Sequence, residues 1–353
     1  MILKELINKF DKSSIKAGEG LEKGQFPLYT CSPLVNKYLD DYICDGEAIV
    51  ISTGGNFAVH YVNGKFNYST DCYVFNTDKL DTKYLYYYLI SKTDDINKLF
   101  RGAGLKHLNK NEFLLMNVDN IDIQNQKRIV EHLDKISNLI ELRKKQVNKC
   151  DNLIKSQFVE MFGNMKNSIY NKKILSEVTL KITDGKHGGC ESDPNSGYYF
   201  IGATEVFNNK IDYDNAKQIT KKDFDIDYKR CDLKLDDFVI VNTGATIGKS
   251  AIVSDERCTK TLLQKSVALI RTDSSKILPI YIKYLYDNEP SLYNQGQGCA
   301  RVNLLLSQIK NTSVPVPPIE LQNKFAQIVE QIDKQKFVSA KILEIIGKLS
   351  NLW

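Results

Sequence analysis

The chain has 353 residues, 42% of them hydrophobic and 26% charged, with a net charge of +5. That length suits two domains, each able to bury its own core, and the composition is ordinary for globular protein. No run of about 18 apolar residues occurs, and charge arrives at once with Lys4 and Glu5, so neither a membrane helix nor a secretory leader is expected and the cytoplasm is the expected compartment.

The charge is unevenly spread: −1 over residues 1–120, +2 over 121–163, +3 over 164–316 and +1 over 317–353. This is mildly basic, short of the pI above ~9 expected of a self-sufficient nucleic-acid binder. The eight cysteines are scattered, none as a CxxC pair. They are expected to be reduced and mostly to serve as small core hydrophobes, and no metal site is expected.

In chain order, Glu47 to Ser52 reads as a buried strand closed by Gly54-Gly55. Tyr61 to Phe66 reads as a hairpin around Asn63-Gly64, and Asp81 to Ile90 as a helix with Asp81 at its N-cap. The tyrosines and phenylalanines of this region (Tyr61, Phe66, Tyr68, Tyr73, Phe75, Tyr84, Tyr86, Tyr87, Tyr88) are read as core and sheet surface ahead of a stacking platform. A long helical pattern follows, with Ile129, Leu133, Ile136, Ile140, Val147, Cys150, Ile154, Phe158 and Met161 forming a seam that Arg143 interrupts.

The order then repeats. Asp237 to Asn242 reads as the strand, closed by Gly244, and Leu278 to Tyr286 as the helix, with Pro279 in its first turn. Leu321, Phe325, Ile328, Ile332, Ile342, Ile346, Leu349 and Trp353 form a second seam, with Gln335 and Ser339 in its gap. A repeat near 3.5 keeps an apolar stripe on one side of a long helix. The helices should each be roughly 50–55 Å long. Either each lies along its own domain or, as two similar seams in one chain favour, they pair antiparallel. The strands are separated by turns rather than regular helices, which argues for an α+β fold and against a doubly wound parallel sheet.

Short segments repeat as well. Gly102-Ala103-Gly104-Leu105-Lys106-His107-Leu108-Asn109 aligns with Gly296-Gln297-Gly298-Cys299-Ala300-Arg301-Val302-Asn303. Ile123-Gln124-Asn125-Gln126 aligns with Ile319-Glu320-Leu321-Gln322. A period this long means two copies of a domain-plus-helix unit, not a solenoid.

Three stretches carry a family resemblance: Lys181 to His187 (KITDGKH), Asp236 to Lys249 (DDFVIVNTGATIGK) and Val314 to Gln322 (VPVPPIELQ). In combination the chain resembles the DNA-specificity subunit of type I restriction–modification systems over essentially its whole length. The first copy departs at the third stretch, where Val118 to Gln126 lacks the prolines, so its bend into the helix should be less rigid. The resemblance implies target-recognition domains at 1–122 and 164–318. Helices at 123–163 and 319–353 would form an antiparallel coiled-coil spacer, giving a pseudo-twofold repeat. It also implies double-stranded DNA as ligand, and two methyltransferase and two restriction/translocase subunits as partners. S-adenosylmethionine, ATP and Mg would be bound by those partners, and this chain would hold no cofactor and perform no catalysis. A recognition subunit of a methylation-only system, or a stand-alone DNA-binding module, fits the same residues.

The residues agree with a non-catalytic role. Gly244-Ala245-Thr246-Ile247-Gly248-Lys249-Ser250 follows a strand but has three residues between its glycines, where a phosphate loop needs four. The histidines His60, His107, His132 and His187 are dispersed. Base edges are read by Arg, Lys, Asn and Gln, and phosphates are held by Lys, Arg, Ser and Thr. The candidate DNA contacts are therefore Arg101, Lys106, His107 and Asn109 in the first copy. In the second they are Lys186, His187, Thr243, Lys249, Gln264, Lys265, Gln297, Arg301 and Asn303, with Asn294 and Gln295 beside them. Asn109 and Asn303 could equally be caps.

Overall fold

The computed structural model describes residues 1–119, 121–293 and 303–350, with side chains through residue 343. The candidates Gln297 and Arg301, their neighbours Asn294 and Gln295, and the seam side chains Ile346 and Leu349 lie outside the described residues. Contacts divide the chain into two compact units, Met1–Arg143 with the end of the chain from Ile342, and Lys144–Lys341. Among the described residues no helix is long and apolar enough to cross a membrane.

Unit one is built on a sheet whose strands run in the order Asn8–Lys9, Cys72–Asn76, Cys44–Ser52, Val59–Tyr68, Phe26–Tyr29, Tyr38–Leu39. Its central strand, Cys44–Ser52, is buried on both faces from Ala48 onward. Ile49 and Ile51 point into one core with Phe75, Leu85, Leu89 and Phe113, whereas Ala48 and Val50 point into a second with Phe66, Tyr68 and Val74. A strand covered on both sides has no polar face to alternate with, which is why it reads as a continuous apolar run. The expected hairpin at Asn63-Gly64 is not a turn. Val59–Tyr68 runs straight through it, and Gly64 pairs with Gly46 of the neighbouring strand, both with positive φ (131° and 123°). The two facing glycines take backbone angles that favour glycine, and the ladder continues through them in register. Phe66, Tyr68, Tyr73, Phe75 and Tyr84 are core side chains, and Tyr61, Tyr86, Tyr87 and Tyr88 are half-buried.

Unit two repeats the first four strands in the same order: Thr179–Asp184, Val267–Thr272, Phe238–Val241, Ser250–Ile252. Phe238 and Ile240 again face one core and Val239 and Val241 the other. The helix after the sheet also recurs, as Thr82–Ser91 with Asp81 accepting from the Tyr84 N–H, and as Pro279–Asn288 with its proline in the first turn. Among the described residues most strand pairing is antiparallel, and parallel pairings include Leu28–Asn67 in unit one and Phe200–Leu262 in unit two. Cys72, Cys150, Cys231 and Cys258 are buried, and Cys31, Cys44 and Cys190 are half-buried free thiols.

The long helices are Ile123–Phe162 (40 residues) and Ile319–Ser350 (32 residues). At 1.5 Å per residue they are about 60 and 48 Å long, more unequal than expected. Within unit two their segments pack antiparallel. Phe158 meets Phe325 at 5.4 Å between ring centres, and Lys336 donates to Asp151 at 2.5 Å. Cys150, Ile154, Phe158 and Phe162 lie in one core with Phe325, Val329 and Ile332, and Leu321 and Ile328 pack at its margin. The helix Pro279–Asn288 joins this contact, since the Tyr281 ring packs tilted against Phe158 and edge-on against Phe162, and Tyr284 meets Phe325 edge-on. The expected antiparallel pairing is therefore met within unit two, where the second helix lies on its own domain and the end of the first helix shares that domain's core. Phe162 and Val329, which the seam did not include, are core members, while Met161 and Ile328 pack at the margin of that core. Ile129, Leu133, Ile140, Val147 and Ile342 are half-buried, and Ile136 is exposed.

Candidate nucleic-acid interface

In unit two, backbone hydrogen bonds tie four loops together at one end of the sheet. The Lys186 N–H donates to the Leu263 carbonyl at 2.7 Å and the Lys265 N–H to the Lys186 carbonyl at 2.9 Å. The Asn242 N–H donates to Ser266 O at 3.0 Å and the Leu304 N–H to Asn242 O at 2.8 Å, while Thr243 and Asn303 form a β-bridge. Lys186, His187, Thr243, Lys249, Gln264, Lys265 and Asn303, which span well over a hundred residues of sequence, thus share one surface. Gly185 makes this closeness possible. A Cβ there would stand 2.0 Å from the Leu263 carbonyl oxygen, so only glycine fits.

Unit one repeats the device with fewer parts. The Thr53 N–H donates to Asp71 O at 2.9 Å, the Leu108 N–H to Thr53 O at 3.0 Å and the Gly55 N–H to Lys106 O at 2.9 Å, with a bridge between Gly54 and His107. Matching bonds place Thr53 where unit two has Asn242, and Leu108 where it has Leu304. His107 is then the counterpart of Asn303, and the repeated Asn109 of the sequence alignment falls two positions away. Asn109 is instead a helix cap, its side chain accepting from the Glu112 N–H and donating to Glu112 Oε1 at 2.8 Å. The counterpart pair also differs in chemistry. Thr53 donates its hydroxyl to Asp71 O at 2.7 Å, whereas the buried Asn242 Oδ1 has no partner among the described residues.

The candidates differ in how committed they are. Arg101 pairs with Glu112 at 2.8 Å, so Arg101 and Asn109 converge on one carboxylate and brace the loop against its helix. Lys186 is held by Asp227 at 2.6 Å, with Asp223 at 4.0 Å. The hydrogen bond to Asp227 keeps its ammonium above the usual lysine range. His187 lies 3.8 Å from Asp184, which Arg230 also holds. Lys106, Lys265 and Asn303 are exposed, and Gln264 packs against Gly202. Lys249 is exposed and sits over the Phe207 ring at 5.3 Å. The Gly244–Ser250 loop spends its amides on itself: Ile247 N–H donates to Gly244 O, Gly248 N–H to Val241 O and Lys249 N–H to Thr246 O. Those three amides are therefore committed to carbonyls and do not face a phosphate.

The residues that join each domain to its helix carry no local sign of their burial. Gln126 and Gln322 are 2% and 0% exposed. Gln126 Oε1 accepts from the Asp81 N–H at 2.8 Å and its amide donates to Ile121 O at 2.6 Å. Gln322 Oε1 accepts from the Leu278 N–H at 2.8 Å, and its amide donates to Lys276 O at 3.2 Å and Pro317 O at 2.8 Å. In each unit, therefore, the first turn of the long helix satisfies the N-cap amide of the domain's own helix. The missing prolines of the first copy are also compensated. Asp122 stands where Pro318 does, and its carboxylate accepts from the Gln124 and Asn125 N–H groups at 3.1 and 3.0 Å. The first helix thus has a side-chain cap rather than a looser start.

Comparison with known proteins agrees with this architecture. The chain is 23% identical over 286 residues to the type I restriction enzyme EcoBI specificity subunit of Escherichia coli, covering 72% of this chain and 59% of that protein. It is 24% identical over 292 residues to the MjaVIII specificity subunit of Methanocaldococcus jannaschii, covering 76% and 67%. It thus spans about three-fifths of the length of the first relative. Among solved structures, the fold is similar to the type I restriction–modification S subunit from M. genitalium (TM-score 0.62, 15% identity, 100% and 93% of the two chains). It is also similar to a chain from a structure of type I restriction–modification complex assembly (TM-score 0.56, 15% identity, 100% and 95%). A family model described as the type I restriction modification DNA specificity domain matches residues 1–150 and 181–346, so the chain belongs to that family.

Proposed function

We propose that this chain is the sequence-specific DNA-binding subunit of a type I restriction–modification complex. On this reading each unit reads one part of a two-part target in double-stranded DNA. The observation that carries the reading is the duplicated surface. Both units hold a glycine turn, at the end of a doubly buried strand, against a downstream segment by the same backbone bonds. Side chains on such a frame can diverge without disturbing it, as two unlike half-targets require. The recognition domains would span 1–122 and 164–318, with the helices 123–163 and 319–353 as spacer.

The chain would be non-catalytic. Two methyltransferase subunits would methylate adenine at N6 with S-adenosylmethionine, and two motor–nuclease subunits would use ATP and Mg. A mild overall charge of +5 suits a reader whose partners share the phosphate contacts. The test is base-modification mapping of the native genome with and without this gene. A split motif bearing N6-methyladenine on both strands, lost on deletion, is expected. An unchanged methylation pattern would overturn the assignment.

A further inference from the structure

The strands Val206–Phe207 and Lys210–Ile211 form a two-residue hairpin closed by Asn208 and Asn209, with φ of 50° and 62°. Two positive φ values in succession mark the primed turn whose twist matches the strands, and asparagine tolerates it well. The hairpin is anchored at its base. Val206 is fully buried in the second core of unit two, Ile211 packs at the edge of that core, and the Asp212 N–H donates to Glu205 O at 2.8 Å. Its tip is the opposite: Phe207 is 53% exposed, and Asn208, Asn209 and Lys210 are all exposed. The Phe207 ring lies 5.3 Å from the ammonium of Lys249, which belongs to the loop cluster described above.

We propose that this hairpin is a second reading element of unit two, entering the major groove and selecting an A·T pair. The inference rests on the DNA-recognition reading. A two-stranded ribbon fits the major groove, where adenine offers N7 as acceptor and N6 as donor, and a carboxamide matches both. Thymine adds a methyl group that an exposed phenyl ring can contact. Asn208 and Asn209 supply the carboxamides, Phe207 the ring, and Lys210 and Lys249 the cations for flanking phosphates. The set is compact and rigidly based, and no core or cap function accounts for its exposed phenylalanine.

The full-length chain, tagged in its own host and purified with the proteins it carries, is selected against a randomised duplex library. The Asn208→Gly/Asn209→Gly variant keeps a backbone that accepts positive φ while removing both carboxamides. It should lose preference at one A·T pair, by roughly tenfold, in one half of the motif only. Replacing that thymine with uracil should weaken binding by the native chain and leave a Phe207→Ala variant indifferent. A motif unchanged in the glycine variant, in a chain that melts normally, overturns the hairpin proposal and leaves the DNA reading intact. A native chain that enriches no motif overturns the DNA reading and the hairpin proposal with it.

Discussion

Gln322 is the sharpest place to perturb the joint between a domain and its long helix. Its carboxamide makes three hydrogen bonds inside a fully buried site, to Leu278 N–H, Lys276 O and Pro317 O. Each buried bond contributes about 1 kcal/mol net, and a stranded buried polar group costs about 1–3 kcal/mol. Gln322→Ala should therefore destabilise unit two by about 3–5 kcal/mol. Gln126→Ala, which removes two bonds, should cost less in unit one, about 2–3 kcal/mol. Gln322→Glu is the discriminating variant. One oxygen can still accept from Leu278, but the other would face two carbonyls, so an isosteric change should be at least as harmful as alanine. The assay is hydrogen exchange on the full chain, read in peptides covering residues 276–282 and 317–325, together with urea unfolding. A loss below about 1 kcal/mol in Gln322→Ala, or a Glu variant that matches the native chain, would refute the reasoning.

Asp237 is 1% exposed and accepts two hydrogen bonds from Arg271, both at 2.8 Å. Asp237→Ala removes both of these bonds and the one from the Lys234 N–H, while Arg271 keeps Asp232 at 3.3 Å, so it should cost about 2–4 kcal/mol; calorimetry showing a loss below about 1 kcal/mol would contradict this. Lys265→Gln and Lys249→Gln should each reduce the salt slope of DNA binding by about one, whereas Lys186→Gln, which breaks the pair with Asp227, should lower stability and leave the slope alone. The Asp273 carboxyl is pushed down to about 2 by the Ser275 hydroxyl, the Lys276 ammonium and the Ser275 N–H. Its folded pKa is below its unfolded one, so its contribution is present above the ordinary carboxylate range and is lost as pH falls from about 4 toward 2. A carboxyl titration by NMR with its midpoint near 4 would remove it.

The features legible in the sequence are those with a strong local cause. Ala48–Ser52 and Asp237–Asn242 declare themselves as buried strands because both faces are covered, and Asp81 and Pro279 mark helix starts by their own chemistry. The long helices follow from period alone. Asn63-Gly64 misled because a turn signal competes with the register of its neighbour, and a facing Gly46 on the adjacent strand is not a local fact. Asn109 and Asn303 looked equivalent because spacing was matched by letters, while the backbone bonds match His107 with Asn303. Gln126 and Gln322 were visible as a repeat, but nothing local says that a glutamine near a helix start is buried. The commitment of Lys186 to Asp227, and of Arg101 to Glu112, is likewise tertiary. The fold was thus largely readable, whereas the division of the candidate residues into braces and free side chains was not.

The central claim, two readers held apart by a helical spacer, is tested most directly by lengthening the spacer. Four helix-forming residues are inserted after Asn148 and four after Val338, so that the antiparallel faces seen at Asp151–Lys336 and Phe158–Phe325 stay in step. This adds about 6 Å, close to two base pairs of DNA. Modification mapping of a strain carrying this chain should show both half-targets unchanged and the gap between them widened by about that amount. An active variant with an unchanged gap, or a native target without a gap, would contradict the account.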